Sequence, residues 1–290
     1  MRSLVAVGGL AVLAVLVCVA ALVWRRSARP AEATIPQLAG LGVPASDDTR
    51  ALVTRWRDRS ARWRLYAALP AIAAATAAGL VTRDTVVLGI GTGPVWTNPL
   101  LMGLLAAFVG AIGAELHHLR RRPAGPRTAS LTPRSVSDHL DVRARTRLAV
   151  VAVLAGAVTA LDLVHPDTAR VPVAGLLAVG TAGTIPPIQQ AIVTRPRPAL
   201  PEPLERADDA VRGLAIRSID AAGAGLVLLL AVMQTATLLD TAVTTAAGGQ
   251  LLFGLATLTG ALIAVVWWWQ AGPSALVAAA ARNTSGGVRP

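Results

Sequence analysis

The stretch SDDTRALVTRWRDRSARWR, Ser46–Arg64, runs directly into LYAALPAIAAATAAGLV, Leu65–Val81. The first part begins with two aspartates, ends in arginines and carries Trp56 and Trp63. The second part holds no charge at all. An uncharged apolar run approaching the ~20 residues of a spanning helix, entered through a cluster of arginine, is the pattern of a membrane helix whose cationic flank stays behind.

The same transition recurs along the chain. Apolar windows predict spans at Leu4–Trp24, Leu65–Val81, Pro99–Ala114, Leu148–Val164, Val171–Val193, Ala221–Leu239 and Leu251–Trp269. The arginines then fix the threading. All but Arg2, Arg83 and Arg170 fall in three alternate connecting segments or in the tail. By the positive-inside rule the N-terminus is outside, the C-terminus inside, and the basic segments cytoplasmic. The predicted fold is an all-α polytopic integral membrane protein of about seven transmembrane helices, one N-terminal anchor plus three hairpins. The units are an anchor at 1–24, a basic loop with an amphipathic helix at 25–64, and hairpin 1 at 65–119. A basic loop at 120–147 precedes hairpin 2 at 148–193. A Pro/Arg linker and helix at 194–219 precedes hairpin 3 at 220–270. A tail at 271–290 is expected to be disordered at its end. Met1-Arg2 before the first apolar run also fits a signal peptide, but the run exceeds a signal core and ends at Arg25-Arg26, which favours a retained anchor.

Composition agrees with this reading. Of 290 residues 54% are apolar and 15% charged, and the mean hydropathy is +0.57. The net charge of +11 comes from arginine alone, since the chain has no lysine. Absence of lysine beside abundant Ala, Gly, Pro and Val points to a GC-rich bacterial genome and hence to the bacterial plasma membrane. The positive-inside rule accounts for the charge, so nucleic acid is not the expected partner. The single cysteine, Cys18, excludes an internal disulfide and a cysteine metal cluster.

Each basic segment ends with aspartate and arginine at the same spacing, Asp48 to Arg57, Asp138 to Arg147 and Asp208 to Arg217. The spacing raises the question of three related hairpins. Physically, Ser46 or Ser137 can cap a helix, with Asp47, Asp48 or Asp138 at its positive end. In the first segment Leu52, Trp56 and Trp63 recur at helical spacing. An amphipathic helix at the inner surface follows, with Trp56, Arg57, Arg59, Trp63 and Arg64 meeting an anionic inner leaflet. A docking helix for a cytoplasmic or membrane protein partner is the competing reading.

Chemistry-bearing groups are few. Glu115, His117 and His118 could approach a metal, but adjacent histidines face different sides of a helix and no second cluster completes a site. The glycines of Gly89–Trp96 miss the dinucleotide-loop spacing and no lysine follows. The sequence supports no catalytic residue, no metal ligand set and no cofactor. The fifth predicted span, VPVAGLLAVGTAGTIPPIQQAIV, is the most unusual. Gly180, Gly183, Pro186 and Pro187 predict a kinked or broken helix, and Gln189 and Gln190 follow it. Such a break can form a pathway or hinge in a transporter. The expected function is a non-enzymatic membrane scaffold or accessory subunit; the alternative is a transporter or permease subunit with the broken helix lining its pathway.

Overall fold

The computed structural model describes residues 43, 46–82, 95–120, 127–128, 135–164, 172–198, 200–242, 259–260, 262–264 and 266–267. The expected anchor Leu4–Trp24, most of the glycine loop Gly89–Trp96 and the tail 271–290 lie outside the described residues. The described residues are helical apart from their turns and one short two-stranded bridge. Five long helices follow in order: α1 Asp47–Thr82, α2 Pro99–Arg120, α3 Val142–Val164, α4 Val173–Val193 and α5 Glu202–Ala242. All five are long and apolar enough to cross a membrane. That is the architecture of a helical membrane protein. Part of the seventh predicted span is also helical, at 259–260, 262–264 and 266–267.

Side-chain meetings fix the helix directions. Gly103 of α2 lies against Ile72 of α1, and Gly110 against Trp63, so α1 and α2 form an antiparallel hairpin. Arg147 of α3 meets Asp220 of α5, and further along Asp162 meets Gln234; these two helices are parallel. Gly175 of α4 meets Gln234, while Gln189 meets Asp220; α4 is therefore antiparallel to α5. The described parts of the three basic segments thus gather at one end of the bundle. A short antiparallel bridge, β1 Arg127–Thr128 with β2 Arg197–Pro198, ties two of them together there.

The lengths correct one expectation. The basic amphipathic segment at 46–64 and the predicted span after it are one uninterrupted helix, and the same is true of 202–219 and the sixth span. At 1.5 Å per residue, α1 is about 54 Å and α5 about 62 Å long, against a hydrocarbon core of about 30 Å. Both helices are therefore longer than a hydrocarbon core, and the excess is at the basic end. Only the middle segment behaves otherwise. Val136–Asp138 forms a separate 3-10 turn, with Ser135 N–H donating to Asp138 Oδ2 at 2.9 Å. That bond holds the Asp138 carboxyl below its usual range. Asp141 then caps α3, accepting from Ala144 N–H at 2.7 Å.

Other starts have similar causes. Ser46 Oγ accepts from Thr49 N–H at 3.3 Å, with Asp47 and Asp48 in the first turn of α1. Asn98 Oδ1 accepts from Leu101 N–H at 3.1 Å, and Pro99 sits at the first helical position of α2.

α5 is the axis. Its most apolar window is 83% buried, against 11% for α1. The two hairpins, α1–α2 and α3–α4, pack around it. Gly223 of α5 lets Ile185 of α4 and Phe108 of α2 approach together. The outward faces of α1 and α3 carry exposed Leu69, Leu80, Val150, Val153 and Leu161, which suit hydrocarbon.

The glycines divide into two groups. A methyl on Gly110 would lie 2.5 Å from the Trp63 carbonyl oxygen, whereas Gly180 and Gly183 have open space around them. Gly110→Ala should therefore destabilise the hairpin by about 1–3 kcal/mol. Gly180→Ala should be neutral or stabilising by up to about 1 kcal/mol through helix propensity. Thermal unfolding in mild detergent measures both; equal destabilisation would contradict the packing described.

Candidate functional site

The polar side chains inside the bundle collect at three levels along α5. The first, at the start of α5, joins it to the end of α4. Arg212 is 2% exposed. Its Nε donates to Asp208 Oδ2 at 2.7 Å, one helical turn away. Its Nη1 donates to the Arg195 carbonyl at 2.7 Å and lies 3.5 Å from that of Ile192, so this guanidinium caps the C-terminus of α4. Arg195 Nη2 donates to the other oxygen of Asp208 at 2.9 Å. Burial lowers the pKa of Arg195, and Asp208 opposes that fall. On α2, Glu115 is 4% exposed and accepts from the Trp56 indole N–H at 2.9 Å.

The second level lies eight residues, about 12 Å, further along α5 from Arg212. Arg147 Nη2 of α3 donates to Asp220 Oδ2 at 2.7 Å. Gln189 Nε2 of α4 donates to Asp220 Oδ1 at 3.4 Å. The Arg147 guanidinium lies 5.1 Å from the ring centroid of Trp267, a cation–π contact with the last helical segment. Across α5, Arg64 Nη2 of α1 donates to Ser218 Oγ at 2.5 Å. Four helices and the segment at 267 therefore meet in one polar belt.

The third level lies fourteen residues beyond Asp220, about 21 Å. Gln234 Nε2 donates to Asp162 Oδ2 at 2.5 Å, and its Oε1 accepts from Gly175 N–H at 3.0 Å. Gly175 is needed there, because a methyl would stand 2.2 Å from Thr159 Oγ1. Between the second and third levels the interior holds Val151, Ala155, Ala178, Ile185 and Val227, all buried.

The fifth predicted span is corrected by this geometry. α4 is continuous through Pro186 and Pro187. Gly180, Gly183, Pro186, Pro187 and Gln190 all lie on its exposed face, and only Gln189 turns inward, at 4% exposed. The helix stays unbroken although Pro186 and Pro187 have no N–H to donate to the carbonyls of Ala182 and Gly183. The residues expected to line a pathway are thus divided between the outside and the Asp220 belt.

The expected membrane-surface residues are divided too. Trp56 is buried against α2 and is corrected from a lipid contact to an internal anchor. Arg64 reaches inward to Ser218. Arg57 and Arg59 are half-buried, and Arg57 Nε stands 3.5 Å from Asp58. Trp63 is 37% exposed and its ring lies 5.5 Å from that of His117. The three arginines at equal spacing have unlike partners: Arg57 meets Asp58, Arg147 meets Asp220, and Arg217 donates to the His139 carbonyl. Among the described residues no three His, Cys, Asp or Glu side chains assemble as a metal site.

Sequence reasoning passed over Arg195, Asp208, Arg212 and Asp162 as site members. Asp208 and Arg212 carried a usable signal, since opposite charges four apart share one helix face. Asp162 carried a weaker one, as a carboxylate two residues from the outer end of the predicted span Leu148–Val164.

The belt predicts coupled energetics. Asp220→Asn leaves the Arg147 guanidinium without its anion and should cost about 2–4 kcal/mol, with exposure of part of Arg147 favouring the lower end. Arg147→Gln should cost a similar amount. The double variant should cost less than their sum by more than about 1 kcal/mol. Unfolding midpoints in detergent test this, and additive losses would show that the two groups act independently. No family model, curated protein or solved structure matches the chain.

Proposed function

We propose that this chain is a non-enzymatic scaffold or accessory subunit of the bacterial plasma membrane, with its basic end cytoplasmic. One observation carries the reading. The two polar levels are each hydrogen-bonded within themselves, and what lies buried between them is mainly apolar, Val151, Ala155, Ala178, Ile185 and Val227, with the hydroxyls of Thr159 and Thr181 the polar groups among them. Groups arranged this way lock helices together; they do not make a continuous hydrophilic path.

The orientation rests on the arginines. Gathered at one end of the bundle, they suit the anionic inner leaflet. With the anchor Leu4–Trp24 and the last predicted span Leu251–Trp269 added to the five helices, this gives seven spans, an outer N-terminus and an inner C-terminus. α1 and α5 then carry about 27 Å each of charge-bearing helix, residues 47–64 and 202–219, past the inner membrane surface. A rigid pair of projecting helices is a platform for a cytoplasmic or membrane protein partner.

The alternative, a transporter or permease subunit, loses support because α4 is unbroken and its Gly/Pro face is outermost. Gln189 and Asp220 are what remain for it, as buried polar groups at the edge of a span.

Thiol labelling separates the two. In a Cys18→Ser background, single substitutions Gln189→Cys and Gln190→Cys are exposed to a small membrane-impermeant reagent from either side. The scaffold reading expects protection at 189 by packing and at 190 by lipid, with labelling beyond Thr194 from the cytoplasmic side only. Rapid labelling at 189 would reveal a hydrated cavity and favour transport. Labelling beyond Thr194 from the outside would invert the orientation.

A further inference from the structure

We draw no further inference here: the strongest candidate, the exposed outward face of α4 with Gly180, Gly183, Pro186, Pro187 and Gln190, carries nothing, because nothing in the structure shows what covers it.

Discussion

The structure depends on the burial of a charged helix. α5 places Asp208, Arg212, Ser218, Asp220 and Gln234 at 8% exposure or less, and from Val211 to Ala215 no residue reaches the surface. A helix covered on every side must find an internal partner for each polar group it carries, because water cannot serve them. The partners come from the neighbours: Arg195 and the end of α4 for Asp208 and Arg212, Arg64 of α1 for Ser218, Arg147 and Gln189 for Asp220, Asp162 and Gly175 for Gln234. Each bond therefore fixes the register of one helix against α5. Apolar packing alone would allow sliding, since hydrocarbon is as good a neighbour as leucine.

This constraint explains why the basic segments are helix and not loop. α1 could end where its arginines begin, and the positive-inside rule would still be satisfied. It continues because Val53, Trp56 and Ser60 make a second buried face beyond the apolar span. Trp56 reaches Glu115, and that bond joins the projecting part of α1 to the end of α2. The arginines thus do two jobs. Arg55 and Arg62 face outward, while Arg64, Arg147 and Arg212 turn in and hold the bundle.

The architecture was legible in the sequence where one physical rule acts alone. Spans show as apolar runs, and their common end shows as arginine clusters, because insertion into lipid depends on little else. Leu65–Val81, Pro99–Ala114 and Leu148–Val164 fall inside α1, α2 and α3 for that reason. The site was less legible because the same residue type serves two rules. An arginine at a span boundary looks alike whether it faces headgroups, as Arg62 is free to do, or a buried aspartate, as Arg147 does. Trp56 has the spacing of a lipid-facing stripe, and only the position of Glu115 on the next helix turns it inward. The helical periodicity is legible; the side it faces is not, because an apolar stripe names no neighbour.

α4 shows the limit most clearly. Two prolines, two glycines and two glutamines in one span suggest rupture when read as a string. Wound into a helix they separate by angle. Gly180, Gly183, Pro186, Pro187 and Gln190 share the outward face, and Ile185, Gln189 and Ile192 share the inward one. The outward residues remove side-chain bulk and backbone donors where neither is used for packing. The inward ones supply what α5 requires: Ile185 to fill the space beside Gly223, Gln189 to satisfy Asp220, and the Ile192 carbonyl near Arg212. Helix-breaking residues are therefore tolerated here because the bonds that hold α4 in place run along the opposite side. The inward side could not exchange roles with the outward one. A proline in place of Ile185 or Gln189 would remove the contact with α5, and the interior could not compensate for it.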